Sequence, residues 1–555
     1  MSDLWKRRGG RRKEDRVRTV EEEIKELEVD TKRISESYQV DSSRPAIKNS
    51  ALFVGIFAIR LINALTIRTF FQPDEYFQAL EPAHHYAFGY GYITWEWREQ
   101  LRSSIHPLIY ALGYKAVSLI PNNDQWVEIV PKVIGALIAT IGEVSLYKFS
   151  QKYANDEAIA RITLLLSVFN PFNWYVSTRS FSNSFETALT TVALRYWPWN
   201  NEVDYKSYVL SIAIALITCI VRPTNSIIWI FLGLHYLFQL RKRFYEVSKI
   251  ISITIIEAVV IFSASTLLDY SFYGQLTFPL YNFLEFNIVK KLSIFYGVAP
   301  WHFYIFQAIP LFLMLYLPFL LHSLLVLKKY QSVLCQAGLV YLLAFSCIDH
   351  KEFRFVYPLQ PILLLLCAYS FKVAMKSPTF FIYAINVVVV VNTLISYFFT
   401  RIQERGVIDV IDYIKNDSTV KSVGFLTPCH STPWQSQLHR PDFEANAWFL
   451  TCEPPLHLTS GNRDEILQYR DESDQFYDNR TQFLHENFPI FGEDKEAAKH
   501  KKYDWPSHLV IFQAEEDFMT DFLAMSNYRQ CQRFFNSYFH WDSRRSGDVI
   551  VYCDT

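Results

Sequence analysis

Residues 51–75 read ALFVGIFAIRLINALTIRTFFQPDE. An apolar run interrupted at Arg60 and Arg68 passes through Phe70 and Phe71 to Pro73 and the adjacent carboxylates Asp74 and Glu75. A run of this length suits a helix crossing a bilayer core, which takes about 20 residues. The acidic pair then falls at a membrane face. Upstream, residues 1–46 are dense in charge and include Lys6, Arg7, Arg8, Arg11, Arg12 and Lys13. Basic residues before the first apolar run place the N-terminus in the cytosol, and the pattern reads as a signal anchor rather than a cleaved signal peptide. Within this tail, residues 20–38 spell either a short amphipathic helix or a solvated segment.

Downstream, further apolar runs begin near residues 105, 131, 158, 183, 207, 224, 248, 301, 332, 355 and 378. Basic clusters at Arg241 to Lys249, Lys328 with Lys329, and Lys372 with Lys376 mark cytosolic loops. Consistent alternation requires that one candidate before Arg241 stop short of crossing. The stretches near 105–120 and 183–197 are the two to suspect. The expectation is an α-helical polytopic membrane protein of about eleven spans with a lumenal C-terminus. Three regions follow: a cytosolic charged tail (1–46), a multi-span membrane domain (47–400) whose first lumenal loop is 71–104, and a lumenal C-terminal domain (401–555). In the last, a helix over Gly406 to Asn416 and strand-like SVGFL, HLVIF and DVIVYC predict a small α/β domain.

Half the chain is hydrophobic, 17% is aromatic and the net charge is -1, so no global field points to nucleic acid. Exposed Trp and Tyr serve membrane interfaces or stack on sugars, and composition does not separate the two. Of eight cysteines, Cys219, Cys335, Cys347 and Cys367 lie in apolar runs and read as packing residues. Cys429, Cys452, Cys531 and Cys553 share the C-terminal region, where three disulfide pairings or free thiols remain open. Sequons at Asn416 and Asn479 fit a lumenal address.

Two clusters carry chemistry. In the first loop, Asp74 and Glu75 suit proton abstraction from a hydroxyl, or form an ordinary interfacial acidic pair. The same loop holds Trp95, Glu96 and Trp97. In a strand both indoles would share one side, as a sugar platform or an interface anchor. His84 and His85 are neighbours on a helix and make poor joint metal ligands, so no metal is expected. In the second cluster, SIDHKEFRFVYPLQP, the residues Asp349, His350, Lys351, Glu352 and Arg354 stand between two apolar runs. They suit a phosphate, or cap two helices. Arg60, Glu143, Arg179, Glu186, Arg222 and Glu257 are ionisable groups in or beside apolar runs. They are either functional or paired between helices, for example Arg60 with Glu143. Cys429-His430 is a nucleophile–base arrangement only in sequence, because direct neighbours rarely have that geometry.

QPDEYFQALEPAHHYAFGYGYITWEWREQLRS with HKEFRFVYPLQP resembles the mannosyltransferases that use dolichol-phosphate mannose, in family 22 of glycosyltransferase superfamily C. The likeness is clear over about residues 50–375. It implies an enzyme of the endoplasmic-reticulum membrane that needs no cofactor, and YGYITWEW favours the member adding the third mannose, α1,2-linked, to the glycosylphosphatidylinositol (GPI) anchor precursor. The donor's β-linked mannosyl phosphate would yield an α-linked product, so the reaction inverts. On this resemblance Asp74 is the base and Glu75 orients it or the acceptor. His350, Lys351 and Arg354 hold the donor phosphate, and Trp95, Glu96, Trp97 and Arg179 are assigned to the sugar or acceptor. The family often has His where this chain has Gln72, which weakens any role for position 72. The rivals are the fourth-mannose enzyme, a mannosyltransferase of dolichol-linked oligosaccharide assembly, and a membrane transporter.

Overall fold

A computed structural model describes residues 48–121, 124–199, 203–376, 378–458, 463–491 and 500–554. The charged tail and its 20–38 stretch lie outside them. Among the described residues, six helices are long and apolar enough to cross a membrane: Asn49–Thr66, Asp124–Ala154, Phe244–Tyr273, Tyr304–Leu325, Phe353–Ala374 and Ile385–Asn416. Shorter apolar helices at Tyr205–Val221 and Val333–Ser346 pack among them. The suspect stretch near 105 forms a helix of 13 residues and that near 183 one of 15. At 1.5 Å per residue each falls well short of a core of about 30 Å.

Burial sorts the spans. Phe244–Tyr273 buries only Ile250, Ser265 and Asp269, and exposes Ile255, Ile256, Val259 and Val260. Such an apolar surface needs lipid around it. Phe353–Ala374 is central, with every residue from Ile362 to Ala368 buried. A polar network stitches this centre together. The Arg60 guanidinium grips Glu143, with Nε donating to Oε2 at 2.8 Å. Ser167 and Asn173 also donate to that carboxylate, at 2.8 and 3.2 Å, and Tyr357 donates to Asn173 at 2.7 Å. Whereas Glu257 Oε2 in Phe244–Tyr273 has no hydrogen-bond partner among the described residues, Arg60 and Glu143 are thus paired, as buried charge must be. Glu186 likewise faces Arg222 at 3.5 Å and accepts from Asn225 at 2.9 Å. Gly135 allows Asp124–Ala154 to press on the next segment, since a Cβ there would stand 2.0 Å from the Thr178 carbonyl oxygen.

After the first span the chain forms one wide helical turn, Tyr76–Leu80, then the helix Glu81–Phe88, closed by Gly89 at φ 86°. Trp95–Arg98 is a single helical turn, not a strand. Positions two apart on a helix point to nearly opposite sides, so the two indoles do not form one platform.

The C-terminal region carries five strands: β1 (Val423–Phe425), β2 (Ala447–Phe449), β3 (His508–Phe512), β4 (Tyr528–Phe534) and β5 (Val549–Asp554). Their order is β2-β1-β3-β5-β4; β1 runs parallel to β2 and β3, and β5 antiparallel to β3 and β4. The sheet packs against both the helix Gly406–Asn416 and the first loop, because Val410, Ile411 and Phe425 share a core with Tyr76, Phe77 and Tyr110. Disulfides join Cys429 to Cys452 and Cys531 to Cys553. Both sequon asparagines are exposed.

Candidate active site

A cavity of about 1280 Å³ lies between the spans and the sheet. Toward the spans its wall is apolar, with Phe70, Ile227, Phe283, Leu311 and Met314. Toward the sheet it is polar, with His430, Asp471, Asp474 and Arg545. A lipid with a charged head and an apolar tail meets both needs in one cleft.

Asp74 stands at the boundary, where Pro73 and the turn after it bring the chain off the first span. Its carboxylate accepts a hydrogen bond from Nη1 of Arg354. Arg354 Nη2 donates to Glu352 at 2.6 Å, and Glu352 stands 3.2 Å from His350 Nε2. The other ring nitrogen of His350 donates to the Gly297 carbonyl at 2.8 Å. The second cluster is therefore a chain of contacts ending on Asp74. Burial pushes the Asp74 carboxyl above the usual range; Arg354 and Arg102 oppose this and Glu96 adds to it. Burial would also raise Glu352, but Arg354 and His350 outweigh it and hold the group at about 2.

Arg102 completes the cationic side. Its guanidinium takes both oxygens of Glu96, at 2.7 and 2.9 Å. Burial pushes Glu96 up, and Arg102 then Arg354 pull it below the usual range. Arg102, Arg222 and Arg354 all line the cavity. The buried Nε of Arg354 has no hydrogen-bond partner among the described residues, and that of Arg222 faces only Glu186 at 3.5 Å. Three guanidiniums on one wall, among the carboxylates of Asp74, Glu96 and Glu352, suit a bound phosphate.

The sequence-expected residues divide. Asp74, Trp95, Glu96, His350 and Arg354 line the cavity. Glu75 turns away to Arg179, whose Nη1 donates to it at 2.9 Å and to the Thr69 carbonyl at 2.8 Å. Burial raises the Glu75 carboxyl and Arg179 opposes the rise. This buried pair braces the loop from behind. Lys351 is spent on backbone carbonyls, donating to Ala299 at 2.9 Å and also to Ile348. Trp97 is 2% exposed, and its indole N–H donates to the Phe77 carbonyl at 3.0 Å. Trp95 stacks toward Tyr296 at the cavity wall. Cys429 and Cys452, beside His430, form a disulfide and offer no thiolate to a metal.

Residues not singled out as ligands in the sequence are Arg102, His430 and Arg545. Arg545 Nη2 donates to the Cys429 carbonyl at 3.0 Å, and its Nε is buried without a partner. The loop is clamped to the sheet domain by Glu81, which accepts from the backbone N–H groups of Trp434 and Ser436 at 3.2 and 3.0 Å. His84 Nε2 meets His439 Nδ1 at 2.9 Å beside this contact.

Residues 51–439 match the model of the Alg9-like mannosyltransferase family. The chain is 56% identical over 519 residues to GPI mannosyltransferase 3 of Debaryomyces hansenii, covering 93% of each. It is 34% identical to GPI alpha-1,2-mannosyltransferase 3 of Mus musculus, covering 91% of this chain and 88% of the mouse protein. The crystal structure of ArnT from Cupriavidus metallidurans bound to undecaprenyl phosphate superposes with a TM-score of 0.56 at 11% identity, covering 91% of this chain and 98% of ArnT. That likeness shows a shared fold. With a family match over most of its length and relatives this similar across nearly the whole chain, the protein belongs to the Alg9-like mannosyltransferase family and is a membrane-embedded mannosyltransferase.

Proposed function

We propose that the protein adds the third mannose, in α1,2 linkage, to the GPI anchor precursor, using dolichol-phosphate mannose at the lumenal face of the endoplasmic reticulum. The observation that carries this reading is the carboxylate of Asp74 held by Arg354 at the boundary between the apolar and polar walls, with Arg102 and Arg222 on the same wall. The names of the relatives support the acceptor and the linkage. Two lipid-borne substrates would keep their chains toward the spans and their heads between loop and sheet. About eleven crossings, a cytosolic N-terminus and a lumenal C-terminal domain are part of this reading. Residues 71–104 then serve as the catalytic loop on the lumenal side.

The reaction follows from one base and one stabilised leaving group. Asp74 takes the proton of the acceptor hydroxyl, whose oxygen attacks the anomeric carbon from the side opposite the phosphate. The bond from that carbon to the phosphate oxygen breaks, its electron pair leaves with dolichol phosphate, and the β-linked sugar becomes α-linked. Arg354, Arg102 and Arg222 offset the charge developing on the phosphate, often the largest catalytic term. Glu352 and His350 hold Arg354 in place. No metal or other cofactor enters the scheme.

The test is the set of lipid-linked GPI intermediates in cells whose only copy carries Asp74→Asn, with the protein shown to be present and correctly located. A two-mannose intermediate should build up. Normal formation of the three-mannose product would remove the base assignment. If depletion of the whole protein also left that product intact, the acceptor assignment would fall.

A further inference from the structure

Between β4 and β5 the chain runs Phe535-Asn-Ser-Tyr-Phe-His-Trp541. Four large aromatic side chains in these seven positions are exposed: Phe535 at 41%, Tyr538 at 71%, Phe539 at 59% and Trp541 at 90%. A water-facing surface does not hold so many aromatics together without a partner.

The position of this strap identifies the partner. The last span exposes Val387, Val390, Leu394 and Tyr397, one stripe at helical spacing that faces lipid. Phe398 follows directly, and its ring stacks on both Tyr538 and Phe539 at 6.2 Å. Gln403, just beyond, donates its side-chain amide to the Phe539 carbonyl and accepts from the Tyr538 N–H at 3.2 Å. The strap therefore continues the lipid-facing stripe at the level where the helix Pro378–Arg401 that carries it ends. Trp and Tyr, with an apolar ring and a polar edge, favour this depth of a bilayer. Phe539 and Trp541 also line the cavity while remaining largely exposed, so they stand at its rim.

We propose that residues 535–541 dip into the bilayer leaflet facing the C-terminal domain and form one side of a lateral doorway, through which the lipid chain of a substrate reaches the cavity from the membrane. The leaflet contact rests on geometry alone; the doorway rests also on the reading above that the substrates are lipid-linked.

A photoreactive residue, p-benzoylphenylalanine, placed at position 538 or 541 of the full-length protein in phosphatidylcholine vesicles reads the contact directly. Met525 is the control: it is 93% exposed and belongs to the same domain, at the far end of β4, roughly 25 Å away at the rise of a strand. Phospholipid adducts at 538 and 541 with background at 525 are expected. Equal yields at all three positions would overturn the leaflet contact, whatever the enzyme's acceptor. For the doorway, Trp541→Ala should raise the KM for a dolichyl donor by a larger factor than the KM for a short-chain mannosyl phosphate, and Trp541→Phe should restore the ratio. An equal change for both donors overturns the doorway. A wild-type protein inactive with every mannosyl phosphate would instead count against the proposed reaction and leave the adduct result standing.

Discussion

Asp74 and Arg354 lie 280 positions apart in the chain and meet through a hydrogen bond between carboxylate and guanidinium at the cavity wall. The contact joins the loop after the first span to the start of the central span. Burial raises the Asp74 carboxyl above its usual range, and Arg354 opposes that rise. Arg354→Ala should lower kcat/KM for mannosyl transfer by about 10²–10³-fold, the scale for losing one donor that stabilises developing charge. Lysine should recover only part, because it lacks the planar fork. Transfer to a defined acceptor in proteoliposomes is the measurement; unchanged transfer by the alanine variant would detach Arg354 from the reaction.

The acid limb of the pH profile tests the same pair. A base works only while ionised, so activity falls as pH drops through the Asp74 pKa. Arg354 lowers that pKa and Glu352 raises it. Arg354→Gln should therefore move the acid limb of the residual activity to higher pH. Profiles of kcat/KM for the wild type and this variant decide the matter, and a shift in the opposite sense would rule out Asp74 as the titrating base.

Glu81 predicts a pH-dependent stability. Burial raises its carboxyl from 4.5 to about 7, against hydrogen bonds from Ser436 and Trp434. The folded state thus binds a proton that the unfolded chain has released between these values. Stability should fall as pH rises from about 4.5 to about 7 and level off beyond, by roughly 3 kcal/mol at most. Glu81→Gln should flatten that slope in thermal unfolding of the detergent-solubilised protein.

The Arg60–Glu143 pair should be worth little as a pair and much when broken. Either single change, Arg60→Leu or Glu143→Leu, leaves a buried charge and should cost about 3–5 kcal/mol, while the double change should recover most of the loss. Unfolding in nanodiscs would show it. Comparable loss in the double variant would mean that Ser167 and Asn173 depend on the carboxylate.

Gly135→Ala should destabilise by roughly 1–3 kcal/mol, since the added carbon meets a backbone carbonyl that cannot turn aside. The Asp124–Ala154 helix would have to move off the segment carrying Arg179, and with it the brace behind Glu75. A Tm equal to wild type would show that the two segments separate freely.

The sequence displays its spans openly because an apolar run long enough for a bilayer is a local signal. Asp74 was legible for the same reason, standing just past such a run, and β3 and β5 were legible as continuous apolar stretches. β4 was not: its middle, Arg529 to Arg533, is exposed and polar, so no alternation marks it. β2 is three residues long and too short to leave a pattern. Trp95 and Trp97 alternate like a strand, yet the turn at Thr94 starts a helix and Trp97 is consumed by packing. Lys351 carried the right charge for a phosphate, but its reach ends on carbonyls left open where the surrounding chain turns. Arg102 and Arg545 could not be assigned from sequence, because what distinguishes them is proximity across the cavity, a long-range property.

The cavity draws its walls from residue 70 through residue 545, nearly the full span of the chain. During synthesis the carboxylate at position 74 is made early, while the guanidinium that meets it and the roof that encloses it emerge hundreds of residues later. An unfinished chain thus lacks part of the cavity wall. The cavity is walled completely only when the chain through Arg545 has joined it, so closure of this cleft is among the last events in building the molecule.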